Sequence, residues 1–238
     1  MGPRPAATTA SFNGRRASNA PAASIPPLPE LNLNPSCFSP LLLLAGAPAR
    51  LYSHPANAEA ATRWTTAERQ RQAQNWPAAR AGYAQLVALG LGVGWRGLGL
   101  LWELGDPERD WARARDCYER ARAAGNDCGH WLIGNLHRRG GPGLIQDGNE
   151  ARRWYERGLA AGHGDNGFFL GLLYEAGGPG LLADWARARD SYAAYAAGGG
   201  APEIYGYIAA LYEQGGPNLP RDLDRARYYR RRAAGLMS

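Results

Sequence analysis

The stretch LGLLYEAGGPG at residues 170–180 repeats, almost letter for letter, the stretch IGNLHRRGGPG at residues 133–143. Two further copies complete the series, LGLLWELG at 98–105 and IAALYEQG at 208–215, so the steps between copies are 35, 37 and 38 residues. Self-similarity at a period of about 20 to 50 residues is typical of repeat architectures. The chain of 238 residues is therefore organised as an array of repeats.

Each copy has the pattern of a helix followed by a stop signal. Apolar residues recur at helical spacing, as Leu98, Leu101 and Trp102 do in the first copy. A glycine then fits the left-handed position just past a helix end, and the prolines that follow in three copies prevent continuation. Glycine lowers helix propensity by up to about 1 kcal/mol relative to alanine, so the small residues inside each copy indicate the close approach of another helix backbone. The small residues are Gly99, Gly134, Gly171 and Ala209, and the end glycines are Gly105, Gly140, Gly177 and Gly215.

A second helix follows each copy. An N-cap Asp or Asn stands four residues before an alanine, and a tyrosine stands four residues after that alanine. In the last copy the pattern slips by one residue, and Tyr228 and Tyr229 share the role of the tyrosine. The predicted caps are Asn75, Asp110, Asp147, Asp184 and Asp222, and the tyrosines are Tyr83, Tyr118, Tyr155 and Tyr192.

The two helix patterns together predict an all-α fold, an α-solenoid of about five antiparallel helix hairpins, because one hairpin cannot bury both of its apolar faces alone. The predicted units are a hairpin at 53–90, repeats at 91–125, 126–162 and 163–199, and a fourth repeat with a C-terminal cap at 200–238.

Residues 1–52 differ in composition from the repeats. They carry four Arg against a single acid, Glu30, and are rich in Ala, Pro, Ser and Asn, which is the composition of an organelle transit peptide. The stretch ARLYSHP resembles a mitochondrial processing site with cleavage before Ser53. We expect an extended, non-globular targeting segment, mitochondrial or alternatively chloroplast, or else a retained tail. The apolar run at 41–47 is too short for a bilayer span, which needs about 20 residues.

The combination LGxLYxxGxG, then Asp, then AxxWYxxxxxxG, as in Ala151, Trp154 and Tyr155, resembles the Sel-one-like repeat (SLR) family, an α/α relative of the tetratricopeptide repeat. The resemblance is clear over residues 91–235 and weak over residues 58–90. It implies a tetratricopeptide-like, right-handed superhelix whose concave face binds other proteins. Members of the family act as adaptors in membrane-protein quality control, bacterial signalling and the assembly of cytochrome oxidase.

The chain departs from the family pattern at several positions. His137 stands where the other copies have an aromatic residue, and Cys117 and Ser191 stand at the position of Trp154. The first inter-helix loop, GDPERD, lacks the GGPG form.

The sequence favours a protein without catalytic activity or a cofactor, because it contains no GxSxG, phosphate loop or HExxH motif. We expect an accessory subunit or assembly factor of a mitochondrial multiprotein complex, with the respiratory chain favoured. Its partners are then other protein subunits, and any membrane association is peripheral and made through a partner. The alternatives are an accessory protein that binds RNA or the mitochondrial ribosome, and an enzyme with an unrecognised site.

Packing between helices uses the tyrosines, leucines and small residues, so partner specificity is expected from positions that vary between copies. Arg and aromatic residues are favoured at such contacts. The predicted protein-binding residues are Asn135, His137, Arg138 and Arg139, which align with Leu172, Tyr174, Glu175 and Ala176.

Four other groups have a structural and a functional interpretation. His130 and His137 are seven residues apart but lack a third ligand at metal-like spacing, so packing is favoured over a metal site. Cys117 and Cys128 are close enough in sequence to meet across a turn, although reduced thiols are expected. The aromatic series fits a core better than a base-stacking platform. The basic cluster at 225–232 is suited to phosphate contact, and a solvated helix face is the favoured alternative.

Overall fold

The computed structural model describes residues 55–105 and 109–237, and these residues form ten α-helices. The predicted targeting segment at 1–52, with its processing site, lies outside the described residues. The helices are α1 Pro55–Gln72, α2 Trp76–Ala88, α3 Gly92–Leu104, α4 Trp111–Ala123, α5 Gly129–Arg139, α6 Gly148–Ala160, α7 Asp165–Ala176, α8 Trp185–Ala197, α9 Ile204–Gln214 and α10 Leu223–Ala233.

The helices pair as five antiparallel hairpins, each made of an odd-numbered first helix and an even-numbered second helix. Each helix packs against the one before it and the one after it along the chain. First helices of neighbouring hairpins also meet, α1 with α3 and α5 with α7, so the first helices lie on the inner side of the array. The prediction of an all-α solenoid is confirmed. In the described part of the chain, no helix combines the length and apolar character that crossing a membrane requires.

The predicted N-caps begin every second helix. The carboxylates of Asp110, Asp147 and Asp184 accept a hydrogen bond from the backbone N–H three residues later, at 3.0, 2.9 and 3.0 Å. Asn75 does the same at 3.4 Å and Asp222 at 2.9 Å. Each such cap contributes about 1 kcal/mol by satisfying a donor that has no partner within the helix. The five predicted helix starts are confirmed.

The repeated GGPG sequence forms a turn between the two helices of a hairpin, and this turn is hydrogen-bonded to the preceding hairpin. Gly141 and Leu144 exchange backbone hydrogen bonds of 2.8 and 2.9 Å. Between them, Pro142 presets its own φ and Gly143 has φ +77°, the combination that a type II turn requires. The carbonyl of Pro142 accepts a bond of 2.7 Å from the N–H of Trp111, in the preceding hairpin. The equivalent bonds join Pro179 to Gly148 and Pro217 to Trp185.

The glycines inside the first helices make room for the tyrosines of the second helices. A Cβ added at Gly134 would lie 2.3 Å from Cε1 of Tyr155, whose side chain is fully buried. The prediction that these small residues admit a helix backbone is therefore wrong, because they admit an aromatic ring. The same contact pairs Gly99 with Tyr118 and Gly171 with Tyr192.

The last hairpin keeps the register of the others. The prediction of a one-residue slip shared by Tyr228 and Tyr229 is wrong, because Arg230 occupies the tyrosine position eight residues after the cap. The Arg230 guanidinium donates to Glu213 at 2.7 Å, as tyrosines at this position do to glutamates in other hairpins. Ala209 stands at the position that glycine holds in the three central hairpins.

The end glycines follow the prediction at three of four positions. Gly140, Gly177 and Gly215 have φ of +62°, +67° and +66°, so a side chain there would be strained. Gly105 has φ 174°, which is extended backbone open to any residue. The left-handed conformation predicted for Gly105 is therefore wrong.

Candidate protein-interaction site on the inner helices

One position near the end of the first helix forms, in most hairpins, the hydrogen bond that links the first helix to the second. In four of the five hairpins this position holds a glutamate that accepts a hydrogen bond from the tyrosine position of the second helix. The bonds are Tyr83 to Glu68 at 2.5 Å, Tyr118 to Glu103 at 2.6 Å, Tyr192 to Glu175 at 2.7 Å and Arg230 to Glu213 at 2.7 Å. In α5 the same position holds Arg138.

Asn135 replaces the missing glutamate as the acceptor. The hydroxyl of Tyr155 donates to Oδ1 of Asn135 at 2.9 Å, and Nε of Arg138 donates to the same oxygen at 3.4 Å. Asn135 and Arg138 are only 5% and 6% exposed. The structure thus brings these two predicted site residues together and buries both. Asn135 supplies the acceptor that is lost when Arg138 replaces the glutamate, so the two substitutions compensate one another inside the hairpin.

Arg139 links α5 to the preceding hairpin. Its Nη2 lies 2.5 Å from Oε1 of Glu103, and its guanidinium lies 4.6 Å from the ring centre of Trp111. Glu103 is buried and also accepts from Tyr118, whose pKa is raised well above its usual value by burial and by the charge of Glu103. At the Arg139 position of α7 the chain has Ala176, whose methyl group cannot form such a pair.

His137 is also buried, on a face of α5 that packs against other helices. Its carbonyl accepts from the N–H of Asp147 at 2.8 Å, and burial lowers the pKa of its imidazole. Three of the four predicted site residues are therefore buried, and Arg139 is half-buried. Their protein-binding role stays a prediction, now with a smaller accessible area than the sequence indicated.

The predicted histidine pair is not brought together. His130 instead lies near His163, with ring centres 5.4 Å apart, and its pKa is lowered by burial and by His163. Among residues 58–105 and 109–237, no three His, Cys, Asp or Glu side chains are grouped as a metal site requires. Cys117 and Cys128 are buried free thiols, and burial raises the pKa of Cys117 to about 11.

The basic cluster at 225–232 is largely neutralised by its own surroundings. Three of its arginines lie 3.3, 2.9 and 2.7 Å from carboxylates, in the pairs Arg225–Asp222, Arg227–Asp224 and Arg230–Glu213. Arg232 lies over the ring of Tyr205 at 4.2 Å. The charges of this helix are therefore used for local pairing, which disfavours a phosphate-binding surface.

Glu103 is the functional candidate that the sequence reasoning missed. It stands at the position of Glu68, Glu175 and Glu213, near the end of the first helix. The available signal was a glutamate two residues before the end glycine, as at Glu103, Glu175 and Glu213. Glu103 is a buried acceptor. Because the other first helices have a glutamate at this position, Arg138 of α5 reverses the charge there.

Comparisons with known proteins agree with this architecture. No family model matches the sequence, and no curated protein matches it. The chain is 26% identical to a Sel1 repeat protein from Oxalobacter formigenes of known crystal structure, with a TM-score of 0.51 over 66% of this chain and 62% of that one.

A second solved structure is a protective antigen of uropathogenic Escherichia coli strains that displays an SLR fold. The identity is 19% and the TM-score 0.54, over 76% of this chain and 40% of that one, so this likeness concerns the fold alone. The chain spans less than two thirds of the length of either solved protein.

Proposed function

We propose that the chain, which is similar in fold and repeat pattern to Sel1 repeat proteins, is a protein-interaction scaffold serving as an accessory subunit or assembly factor of a mitochondrial multiprotein complex. The respiratory chain is the favoured complex. The fold supports a scaffold, since hairpin arrays of this kind present extended surfaces to other proteins. Which complex the array serves is our proposal.

The departure of α5 from the other first helices carries the proposal. In the other four hairpins a glutamate of the first helix accepts a hydrogen bond from the second helix, so this feature does not distinguish them from one another. Asn135 and Arg138 break that scheme in the middle of the array. A local difference in charge on an otherwise regular frame is what recognition of one particular partner needs.

The mitochondrial location rests on composition. Residues 1–52 are basic, hydroxylated and poor in acids, which supports import into the organelle. They lie outside the described residues, so the sequence alone supports this part of the proposal. Terminal sequencing of the organellar protein tests it directly, with a mature start at or near Ser53 as the expected result and Met1 as the result that refutes cleavage.

The experiment that tests the function is native electrophoresis of a mitochondrial extract that contains the tagged full-length protein, followed by mass spectrometry of the band. We expect migration with a large complex that contains respiratory-chain subunits. Ribosomal proteins in the band would favour the ribosome-associated alternative over the respiratory chain. Migration only as a free species at or below the chain mass of 25.7 kDa would refute the proposal.

The structure also selects the variant for this experiment. Reversal of Arg139 would break its ion pair with the buried Glu103 and destabilise the junction of α3 and α5. Reversal of Arg138 places a glutamate where the other four hairpins already have one. Arg138→Glu is therefore the variant in which lost association reports on the partner and not on the fold.

A further inference from the structure

Arg138 is a buried cation that has no counter-charge in the described part of the chain. It is 6% exposed, and its one side-chain bond is the 3.4 Å contact from Nε to Asn135. Within residues 58–105 and 109–237, no carboxylate oxygen lies within 4.0 Å of its nitrogens. A buried charge is unfavourable unless it is paired. Within the described residues, this guanidinium therefore has no anion within pairing distance.

Two neighbouring acceptors bind the hydroxyl groups of tyrosines. Oδ1 of Asn135 is shared with the hydroxyl of Tyr155, and Glu175 accepts from Tyr192 at 2.7 Å. Asn135 carries no charge, and within the described residues Glu175 forms no ion pair of 4.0 Å or less with Arg138.

The preceding junction shows where a partner for Arg138 belongs. Between α3 and α5, the residue at the Arg138 position is Glu103, and it pairs at 2.5 Å with Arg139 of the following first helix. Between α5 and α7, the residue equivalent to Arg139 is Ala176, which is exposed and carries only a methyl group. The position that should hold the opposite charge is therefore open to a group from outside the array.

Within the described residues, the terminal nitrogens Nη1 and Nη2 of Arg138 donate no hydrogen bond of 3.5 Å or less, although the residue is only 6% exposed. Trp131 lies seven residues earlier on the same face of α5, and its indole nitrogen is also buried without a partner. Two adjacent N–H groups of one guanidinium match the two oxygens of a carboxylate.

We propose that the junction of α5 and α7 binds a Glu or Asp side chain of an acidic segment in a partner protein, through the terminal nitrogens of Arg138. The inference rests on the proposed scaffold function and names the chemistry of the segment that the scaffold binds. A carboxylate is favoured over a phosphate, because Glu103 and Glu175 stand at the same position of the two neighbouring hairpins and repel a doubly charged group more strongly.

The first test is a fluorescence anisotropy titration of the full-length chain with fluorescein-labelled deca-glutamate at physiological ionic strength, with deca-glutamine as the control probe. Arg138→Glu should weaken the affinity for deca-glutamate by at least about tenfold. Arg231→Glu is the matched control, because it changes the charge equally at an exposed arginine of α10. It should change the affinity by less than about threefold, the effect of general screening by salt.

A second variant keeps Arg138 and instead adds a competing carboxylate beside it. Ala176→Glu places a carboxylate at the open position, where it should pair with Arg138 as Arg139 pairs with Glu103, and exclude the peptide. Ala176→Gln has nearly the same shape and should bind deca-glutamate within about twofold of the natural chain, since it lacks the competing charge.

Three results would overturn the inference: equal losses in Arg138→Glu and Arg231→Glu, equal binding of deca-glutamine, or competition by free acetate as effective as that of the peptide. The last would indicate a site for small anions. Native electrophoresis of Arg138→Glu separates this inference from the proposed function. Loss of the complex supports both, whereas an intact complex refutes the site and leaves the scaffold function standing. If the natural chain forms no complex, the scaffold proposal fails and the titration still decides the site.

Discussion

Replacing Gly171 by alanine tests the contact between a glycine of the first helix and a tyrosine of the second helix, which recurs in the three central hairpins. A Cβ at this position would lie 2.3 Å from Cε1 of Tyr192, whereas carbon atoms in contact normally lie about 3.5–4.0 Å apart. The ring has little freedom to move aside, because its hydroxyl donates to Glu175 at 2.7 Å and its side chain is fully buried. Either the ring or the helix must therefore shift by more than an ångström.

Two effects of opposite sign determine the expected free energy of unfolding. Overpacking a buried site costs about 1–3 kcal/mol, and alanine favours a helix over glycine by about 1 kcal/mol. The matched control is Gly206→Ala in α9, where an added Cβ meets nothing within 4 Å. The control retains the gain in helix propensity without the clash. The two variants should therefore differ by about 1–3 kcal/mol, with Gly171→Ala the less stable.

Urea denaturation followed by circular dichroism measures this difference. The slope of the unfolding free energy against urea should be alike in both variants, because neither changes the surface exposed on unfolding. We expect Gly206→Ala to be as stable as the natural chain or more stable, and Gly171→Ala to unfold at lower urea. Equal midpoints in the two variants would show that the ring does not require glycine, and the account of the repeated small residue would fail.

Three further changes test the caps, the buried histidine and the last hairpin. Asp184→Ala removes the acceptor for the N–H of Arg187 and should lower the thermal midpoint by an amount equivalent to about 1 kcal/mol; an unchanged midpoint would contradict the cap. Burial lowers the pKa of His137 below 6.5, so the unfolded state binds more protons as the pH falls past that value and stability declines. His137→Tyr should reduce the loss of midpoint between about pH 7.5 and about pH 5.5, and an equal loss in both proteins would refute this source. Arg230→Tyr should destabilise the natural chain and be rescued by Ala209→Gly, as a double-mutant cycle of unfolding free energies would show; additive effects would refute the contact.

Local signals explain why so much of the fold follows from the sequence. The caps act within one turn of helix, and the turn formed around Pro142 and Gly143 depends on the φ values of those two residues. Such features repeat wherever the local chemistry repeats. Contacts across a hairpin are harder to predict, because a helix backbone and an aromatic ring both require a small residue opposite, and Gly134 fits either.

The errors in the last hairpin and at the candidate site have one physical cause. Arg230 replaces a tyrosine by making the same bond to Glu213, although the two side chains have no resemblance in a sequence comparison. Asn135 likewise takes over the bond that a glutamate makes elsewhere, which allows Arg138 to be buried. Variation at these positions suggested an exposed surface, whereas the substitutions compensate one another across space.

Two of the four junctions between neighbouring first helices therefore differ in character. Glu103 and Arg139 satisfy each other between α3 and α5, so that junction is closed and contributes to stability. Arg138 and Ala176 cannot satisfy each other between α5 and α7, so the charge there is open to a group from outside the array. The recognition point is single because Arg138 is the only arginine at this position of the first helices in the described part of the chain. Selectivity then follows from position, because an acidic segment meets a paired guanidinium at one junction and an unpaired one at the next.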